Sequence, residues 1–431
     1  MARKLIFFTL LVSVLFLAVE LSAEDQKGGP VTIQYFSGWN EGEPYVPLFK
    51  KIIADFEAAN PGIRVNASWN GRENLTKVRP MLLSGNVPEL MDQGADELTG
   101  ALVSQDLTYA LDKDLALPAV GSKTAWKDTF KPGQLDAYKK GSENHIVPWW
   151  IDTTVFYYNG KLFSQKGFSA PKTWDEFTTL CDKFKANGLA PLAQDGGINF
   201  YNVYYFRHLV QRIMGNGALL KACGDRTGSS WDDPGFLKAA KTVEQLAKKG
   251  FFIKGFEGYT FPAGQIDFVQ GKAAMILIST WLPAETKDSI PAGFEYRSFP
   301  VPTIAGGKGK AADLELYQWS FVVLKDAPHK AEAVQFLKFW TQKKYNDEMA
   351  INHDAMIAIK GTANPPSNPD AAKLMDIASS TSRFNDGVNS ALPEYWQTVL
   401  LPADDSLIFG KVSAEQFIAQ LKKDSKAFWN K

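Results

Sequence analysis

The chain has 431 residues, of which 45% are hydrophobic and 13% aromatic, a composition typical of a globular protein with two or three domains. Its 47 basic side chains balance 47 acidic ones, and no block of like charge stands out along it. A balanced charge creates no field that would attract a polyanion, so nucleic acid and anionic membrane surfaces are excluded as expected partners.

The first 23 residues have the pattern of a secretory signal peptide. Arg3 and Lys4 form a basic start, an apolar run follows from Leu5 to Val19, and Ala23 is the small residue that a signal peptidase requires. The run is shorter than the ~20 residues of a membrane-spanning helix, which favours cleavage over a membrane anchor. No cysteine lies near the cleavage point, so we expect a periplasmic protein without a lipid anchor.

The chain has two cysteines, Cys181 and Cys223. In an oxidising compartment they can form a disulfide, which would stabilise the fold by roughly 4 kcal/mol in the chain-entropy model. Two buried thiols are the alternative. Two isolated cysteines lack the spacing of a zinc site. The histidines are also too scattered to predict a metal site: His145, His208, His329 and His353.

Strands and helices alternate along the rest of the chain. VTIQYF at 31–36 predicts a strand, the apolar face of 48–56 predicts a helix, and IRVNASW at 63–69 predicts a second strand. A strand, helix, strand unit predicts parallel pairing. Further on, KAAMILIS at 272–279 predicts a buried strand.

Two capping boxes mark helix starts in the second half of the chain. Thr173 is followed three residues later by Glu176, and Ser413 by Gln416, so that each pair can satisfy the first turn of a helix reciprocally. No internal repeat and no long flexible linker interrupts the alternation. The sequence therefore predicts an α/β protein.

Several fragments, taken in order, resemble one family. The densest is VFYYNGKLFSQKGFSAPKTWDEF at 155–177, in which a strand leads to a Thr-Trp-Asp-Glu helix start. The chain resembles the extracellular solute-binding proteins of ABC importers, in the sugar-binding branch that includes maltose-binding protein. The other fragments follow the family's order: FEAANPGIRV at 56–65, LLSGNVPEL at 82–90, FVQGKAAMILISTW at 268–281, FPVP at 299–302 and KAEAVQFLKFWT at 330–341.

The resemblance implies a two-lobe periplasmic-binding-protein fold, type II-like. Each lobe would be a mainly parallel sheet flanked by helices, and the lobes would be hinged around a central cleft. The first lobe would hold residues 24–148 and 310–355, and the second 149–309 and 356–431. It also implies a monomer without a cofactor, which binds a carbohydrate and delivers it to the transmembrane permease subunits of an ABC transporter.

The stretch VPWWIDTTVFYYN at 147–159 falls at the first crossing between the expected lobes. Neighbouring side chains on a strand point to opposite faces, so Trp149 and Trp150 cannot both enter one core by simple alternation. We expect one of them to pack inward and the other to meet the ligand or the hinge.

A sugar presents apolar C–H faces and a rim of hydroxyls, so its site needs flat aromatic rings and several hydrogen-bonding side chains. The resemblance places aromatic platforms at Trp39 and Trp281. Beside the matching loops lie further candidates: Asn40, Glu41, Asp96, Asp152, Asn199, Asn202, Gln318 and Trp319. For Asn40, Asp195 and Asn202 a helix cap or an exposed loop position remains an equal alternative. Arg72 and Arg383 are also candidates, and an arginine would favour a phosphate or carboxylate on the ligand.

Other readings of the sequence remain open. The solute could be a glycerol phosphate, a sugar acid or a ferric ion, the last held by Tyr157-Tyr158 or Tyr204-Tyr205. A secreted glycosidase would use paired carboxylates in an aromatic cleft, but no Gly-x-Ser-x-Gly, His-Glu-x-x-His or phosphate-cradling loop suggests an enzyme. A periplasmic adaptor would need an exposed apolar patch. We expect a binding protein and not an enzyme.

Overall fold

The computed structural model describes residues 29–381 and 387–430. The expected signal peptide and Arg383 lie outside the described residues. None of the helices in the described part combines the length and the apolar character needed to cross a bilayer.

Two sheets carry the strands of the described chain. In chain order the strands are β1 (Val31–Ser37), β2 (Ile63–Trp69), β3 (Leu90–Gly94), β4 (Val147–Asp152), β5 (Thr154–Asn159), β6 (Ala190–Ala193), β7 (Ala273–Ser279), β8 (Tyr296–Phe299) and β9 (Tyr317–Val323). The first sheet has the order β2-β1-β3-β9-β4 and the second β6-β7-β5-β8.

Helices surround both sheets. They are α1 (Val46–Ala59), α2 (Asn74–Ser84), α3 (Ala95–Leu98), α4 (Asp112–Leu115), α5 (Gly160–Lys166), α6 (Trp174–Ala186), α7 (Asn199–Met214), α8 (Ala218–Cys223), α9 (Pro234–Lys248), α10 (Ala263–Val269), α11 (Leu282–Thr286), α12 (Lys330–Trp340), α13 (Lys343–His353), α14 (Pro369–Thr381), α15 (Val388–Ala391), α16 (Pro393–Tyr395), α17 (Leu401–Ile408) and α18 (Ala414–Trp429). Single 3-10 turns lie at Gly71–Glu73, Trp126–Thr129, Ser229–Asp232, Phe256–Gly258 and Lys287–Ser289, and π-helical turns at Thr99–Val103 and Trp396–Leu400.

Strand pairing in both sheets is mixed. β1 pairs in parallel with β2 and β3, which confirms the prediction from the strand, helix, strand opening. However, β9 runs antiparallel to β3 and β4, and β5 runs antiparallel to β7 and β8. The sheets are therefore mixed, and the expectation of mainly parallel sheets is corrected. The reason is that the chain enters β5 and β9 directly from the other lobe, and each of these strands pairs antiparallel with a neighbour on either side.

Local sequence signals account for several element boundaries. Both predicted capping boxes are present, since Glu176 N donates to Thr173 Oγ1 at 3.3 Å and Gln416 N to Ser413 Oγ at 3.2 Å. The predicted strand at 272–279 is β7, all of whose residues are buried. A fully buried strand needs apolar side chains on both faces, which is why its sequence does not alternate.

Each sheet lies in its own hydrophobic core. The core around the first sheet takes residues from Ile33 to Ile151 and from Leu314 to Met375. The core around the second sheet takes Val155 to Val301 and Val388 to Leu421. We call these two units the first lobe and the second lobe.

The observed cores differ from the expected lobe boundaries at two places. β4 pairs with β9, so 149–152 belongs with the first lobe and not with the second. Residues 355–375 also pack in the first core, and Ala358 N donates to Trp149 O at 2.9 Å. Hydrogen bonding along the edge of β4 is the physical reason for both shifts, because it binds these segments to the first sheet.

Within the described residues the chain passes from one lobe to the other at Thr153 and between β8 and β9, while α14 and α15, on either side of residues 382–386, belong to the first and the second lobe. Thr153 is tied to the second lobe, since its carbonyl accepts from Thr280 N at 3.1 Å and its amide donates to Thr280 Oγ1 at 3.2 Å. A second contact joins the lobes where Arg297 of β8 donates to Asp370 of α14 at 2.6 and 3.0 Å.

Cys181 and Cys223 are buried thiols in the core of the second lobe and form no disulfide. Burial raises the pKa of the Cys181 thiol well above its ordinary value, because the thiolate would lose its hydration. Of the two possibilities that the sequence left open, the structure has the reduced one.

A carboxyl group is buried among the helices of the second lobe. Asp404 on α17 is fully buried, and neither of its oxygens has a hydrogen-bond partner. Burial, with the nearby charge of Asp405 as a smaller cause, raises the pKa of Asp404 well above its ordinary value. The ionised form is therefore strongly disfavoured in the folded protein.

Asp404→Asn should stabilise the protein increasingly as pH rises. Because the folded pKa of Asp404 lies above the unfolded one, the wild type loses stability once the pH exceeds the unfolded pKa near ~4. The difference in unfolding free energy between variant and wild type should grow by up to ~1.4 kcal/mol per pH unit between pH 4 and 7, measured by urea unfolding. The exposed Asp182→Asn is the control, expected within about 0.5 kcal/mol of wild type throughout. A pH-independent difference for Asp404→Asn would contradict this account.

Candidate functional site

A cavity of about 850 Å³ lies between the two lobes and is lined by residues of both. The loops that follow β1, β3, β4 and β7 contribute to it, together with α7, α11 and the segment around Trp396. Side chains at the ends of strands from two separate sheets thus converge on one space. This is where an open α/β architecture generally places its ligand.

Three tryptophans of the first lobe form an aromatic wall of the cavity. Trp39 and Trp150 are stacked, with ring centroids 5.2 Å apart and planes 7° from parallel. Trp39 also contacts Trp319, with ring centroids 4.6 Å apart and planes inclined by 43°. We call these three rings the tryptophan wall.

Arg72 lies against the tryptophan wall. Its guanidinium carbon is 4.9 Å from the ring centroid of Trp39 and 4.9 Å from that of Trp319. The guanidinium also donates to Gly38 O at 2.6 Å and forms an ion pair with Glu43 at 3.1 Å. The ring faces attract the cation, and the ion pair fixes its position, so Arg72 holds the two rings together.

A buried carboxyl group supports the wall from behind. Asp92 on β3 accepts hydrogen bonds from Tyr35 Oη at 2.9 Å, from Gly38 N at 3.1 Å and from Trp319 Nε1. Burial raises the pKa of Asp92 to about 6, although these donors act in the opposite direction. A β-carbon at Gly38 would lie 2.8 Å from the Trp319 ring, so glycine is what permits this close approach.

The second lobe presents its own aromatic residues. Trp281 directly follows β7, and Tyr201 and Tyr204 lie on successive turns of one face of α7. The ring centroids of Tyr201 and Trp281 are 6.5 Å apart, and Trp281 is only partly buried. Trp396, from the turn that follows α16, also lines the cavity. Rings from both lobes therefore face the same space.

Carboxyl groups of altered pKa lie among these rings. Burial raises the pKa of Asp152, at the end of β4, to about 6, although Thr280 Oγ1 donates to it at 2.6 Å. Burial also raises the pKa of Glu285, on α11, to about 7, and the charges of Asp195 and Asp152 contribute to the rise. Both groups can accept hydrogen bonds from hydroxyls.

An ion pair stands at the second lobe's side of the cavity. Arg207 Nη2 lies 2.8 Å from Glu315 Oε1, and Thr154 Oγ1 donates to the other oxygen of Glu315 at 2.5 Å. The Arg207 guanidinium also lies 5.8 Å from the ring centroid of Trp396. Because Glu315 lies in the second crossing segment, this pair links the crossing to α7.

The structure brings together seven of the residues that the sequence suggested. All of them line the cavity: Trp39, Arg72, Asp96, Trp150, Asp152, Trp281 and Trp319. Five of them lie at the end of a strand or in the segment after it, whereas Trp150 and Trp319 lie within β4 and β9. Their contact with a ligand remains a proposal.

Trp149 packs away from the cavity, in the core of the first lobe. Its ring contacts Phe49, Phe321 and Trp340 at centroid distances of 5.5 to 5.8 Å. The pairing of β4 with β9 is irregular between Pro148 and Trp150, and the two tryptophan rings meet edge to face with centroids 5.9 Å apart. Both rings are buried in the core of the first lobe, and Trp150 of the two also lines the cavity. The irregularity lets both enter one core, which simple alternation would not allow.

The remaining candidates lie outside the cavity lining. Asn40 and Glu41 are exposed and bond to Glu43 and Lys50. Asn202 and Gln318 are buried, and their side-chain amides bond to the protein itself. The amide of Asn202 donates to Gly196 O, and that of Gln318 donates to the backbone and side-chain oxygens of Gln134. Asn199 begins α7 and does not reach the cavity. These five, like Trp149, do not line the cavity.

Sequence reasoning missed several cavity residues. They are Glu43, Tyr45, Glu97, Tyr201, Tyr204, Arg207, Glu285, Glu315, Tyr317 and Trp396. Tyr201, Tyr204 and Arg207 recur at three-residue spacing, which places them on one face of a helix and could have marked that face. Trp396 belongs to no recognisable motif, and only the folded chain brings it to the cavity.

Neither tyrosine pair presents two phenols at one place. Tyr157 donates to Asn368, whereas Tyr158 packs on Phe163, and in the second pair Tyr204 lines the cavity while Tyr205 packs in the core. Within residues 29–381 and 387–430, no group of three or more histidine, cysteine, aspartate or glutamate side chains could hold a metal ion.

The family model of bacterial extracellular solute-binding proteins matches residues 41–347. The chain belongs to this family. The match covers β2 to β9 and so includes cavity residues of both lobes, although Trp39 and Trp396 lie outside it. The family resemblance of the ordered sequence fragments is thereby confirmed.

Known relatives agree with the family assignment. A multiple sugar-binding protein of Streptococcus mutans is 25% identical over 83% of this chain and 83% of its own length. The structure of the binding protein RafE of Streptococcus pneumoniae superposes with a TM-score of 0.73 at 17% identity, over 93% of this chain and 99% of its own. A sugar transporter of Bacillus licheniformis, solved with stachyose, gives 0.66 at 19% identity, over 91% and 99%. The similar structures confirm the two-lobe α/β fold.

Asp92→Asn should destabilise the protein by about 1–3 kcal/mol, because an amide nitrogen would then face one of the three buried donors that the carboxylate accepts. Urea unfolding at pH 7 measures the loss. The exposed Asp175→Asn is the matched control and should change stability by less than about 0.5 kcal/mol. Equal stability of the two variants would show that Asp92 does not support the tryptophan wall.

Proposed function

We propose that this protein captures a carbohydrate, a mono- or small oligosaccharide, between its lobes and delivers it to the permease of an ABC transporter. The observation that carries the proposal is the cavity between the lobes, where Trp39, Trp150 and Trp319 of one lobe and Trp281 and Trp396 of the other line a single space. Aromatic rings on two sides suit a flat, ring-shaped ligand with apolar faces.

Polar groups between the rings suit the hydroxyl rim of a sugar. Asp96 and Asp152 from the first lobe and Glu285 from the second can each accept from two neighbouring hydroxyls, and such bonds to a carboxylate are charge-assisted. The names of similar proteins support a sugar, since one is called a multiple sugar-binding protein and another was solved with stachyose.

Closure of the lobes would couple binding to delivery. A ligand that touches Trp150 and Trp281 together makes its full set of contacts only when both lobes engage it, so it shifts the population toward the closed form. Hinge motion about Thr153 and the two later crossings would bring the lobes together. The closed form would then be what the permease recognises.

The proposal includes binding without a chemical reaction, a monomeric state and no role for nucleic acid. It also includes secretion through a cleaved signal peptide and the absence of a lipid anchor. Family membership supports a binding protein outside the cytoplasm. A glycosidase is the second candidate, because Glu285 and Asp152 are two carboxyls in an aromatic cavity and burial raises the pKa of each. Incubation with oligosaccharides and assay of reducing ends should show no release; release would favour the enzyme.

Thermal unfolding of residues 24–431 against a sugar panel tests the central proposal. The panel should hold mono- and disaccharides, raffinose, stachyose, polyols and glycerol phosphate, on protein freed of ligand by unfolding and refolding. A ligand that binds only the native state raises the midpoint by mass action, so at least one sugar should raise it in a concentration-dependent way. If glycerol phosphate alone raised it, the sugar proposal would fail.

Trp281→Ala should weaken the affinity for the stabilising sugar at least about tenfold, which corresponds to ~1.4 kcal/mol, because a ring face is lost from the cavity. Calorimetric titration measures the dissociation constant. Phe261→Ala is the matched control, since Phe261 is 48% exposed and lies outside the cavity, and its affinity should be unchanged. An unaltered dissociation constant for Trp281→Ala would remove Trp281 from the site.

A further inference from the structure

The charged side chains that line the cavity are predominantly acidic. Among the described residues, six carboxyl side chains and two arginines line it: Glu43, Asp96, Glu97, Asp152, Glu285 and Glu315, with Arg72 and Arg207. No lysine or histidine of the described chain joins them. This imbalance is local, because the whole chain has equal numbers of acidic and basic side chains.

Both arginines already compensate a carboxylate of the same cavity. Arg72 lies 3.1 Å from Glu43, and Arg207 lies 2.8 Å from Glu315. A ligand anion could recruit an arginine only by displacing its carboxylate partner, which would leave a poorly solvated negative charge nearby. Neither arginine is therefore a ready anion site, which argues against the phosphate or carboxylate that Arg72 suggested from the sequence.

Two of the other carboxyl groups come from different lobes and interact electrostatically with each other and with one shared neighbour. Burial raises the pKa of the Tyr45 phenol, and the charges of Asp152, in the first lobe, and of Glu285, in the second, both raise it further. The charge of Asp152 also acts directly on Glu285. The titratable groups coupled to one or both of them are Tyr45, Tyr157, Asp195, Tyr201 and Tyr317, and Arg72 is the cation that acts on Tyr45 and Tyr317.

We propose that the cavity selects sugars without acidic groups, uncharged or ammonium-bearing, and rejects those that carry a carboxylate or a phosphate. The inference rests on the proposed sugar-capture function and specifies its ligand class. A hydroxyl or an ammonium group donates hydrogen bonds to Asp152, Glu285 and Asp96, whereas an anionic group only accepts and meets like charge. Discrimination arises from this penalty on the wrong ligand as much as from contacts to the right one.

Matched sugar pairs test the proposal by calorimetry on residues 24–431. The probes are cellobiose with cellobiouronic acid, galactobiose with digalacturonic acid, and chitobiose with its de-N-acetylated diamine. At pH 8 and 20 mM salt, cellobiose or galactobiose should bind, and its acidic partner should bind at least about tenfold more weakly, whereas the diamine, which gains no acidic group, should bind no more weakly than chitobiose. Raising the salt to 0.5 M should narrow the gap, because charges in an open cavity are screened. Lowering the pH to 5 should narrow it as well, because it protonates Asp152 and Glu285.

A double variant assigns the discrimination to the two carboxyl groups. Asp152→Asn with Glu285→Gln should reduce the difference in affinity between a sugar and its acidic partner. The exposed substitutions Asp175→Asn and Glu257→Gln together make the same change in net charge outside the cavity and should leave that difference unchanged. If the double variant does not fold, the salt and pH series on the wild type decide alone.

An acidic probe that binds as tightly as its uncharged partner at pH 8 and low salt overturns the charge selection, while sugar capture stands. Failure of every sugar, in this series and in the thermal panel, overturns the proposed function itself and the charge selection with it. The two failures are thus distinguishable.

Discussion

The hydrogen bonds to Asp92 are the constraint on which the tryptophan wall depends. This single side chain, on the central parallel strand of the first sheet, accepts from Tyr35 on β1, from the loop after β1 and from Trp319 on β9. Two segments distant in sequence, residues 35–38 and Trp319, thereby converge on one buried acceptor. A buried acceptor that is satisfied three times allows little rearrangement, since each lost bond would leave a polar group unpaired. The wall is therefore rigid where the ligand would rest.

The sequence predicted the elements well because their signals are local. A capping box needs only residues three apart, and β7 needs only a run of apolar residues, so Thr173, Ser413 and 272–279 could be assigned without the fold. The cavity depends on non-local pairing. Glu285 and Trp396 reach the cavity only because α11 and the turn after α16 pack against distant parts of the chain. No short stretch of sequence predicts that packing. The predicted lobe boundary between residues 148 and 149 differs from the observed one for the same reason, because the pairing of β4 with β9 places β4 in the first lobe.

The contacts between the lobes include an ion pair and hydrogen bonds, whereas each lobe has its own apolar core. Arg297 and Asp370 form a two-bond ion pair between the lobes, and Asn368 Nδ2 donates to Thr280 O at 3.0 Å. Polar contacts can be exchanged with water at a small net cost, while the separation of two apolar cores would cost about 25 cal/mol per Å² exposed. The two units can therefore move relative to each other while each keeps its internal packing.

The placement of the cysteines makes each lobe chemically distinguishable. The chain has two thiols, and both are buried in the core of the second lobe, with Cys181 on α6 and Cys223 at the end of α8. An alkylating reagent reaches them only when that core opens, and opening of the first lobe exposes no thiol. The natural sequence thus contains a lobe-specific reporter: the alkylation rate follows the opening free energy of one lobe, without an introduced label.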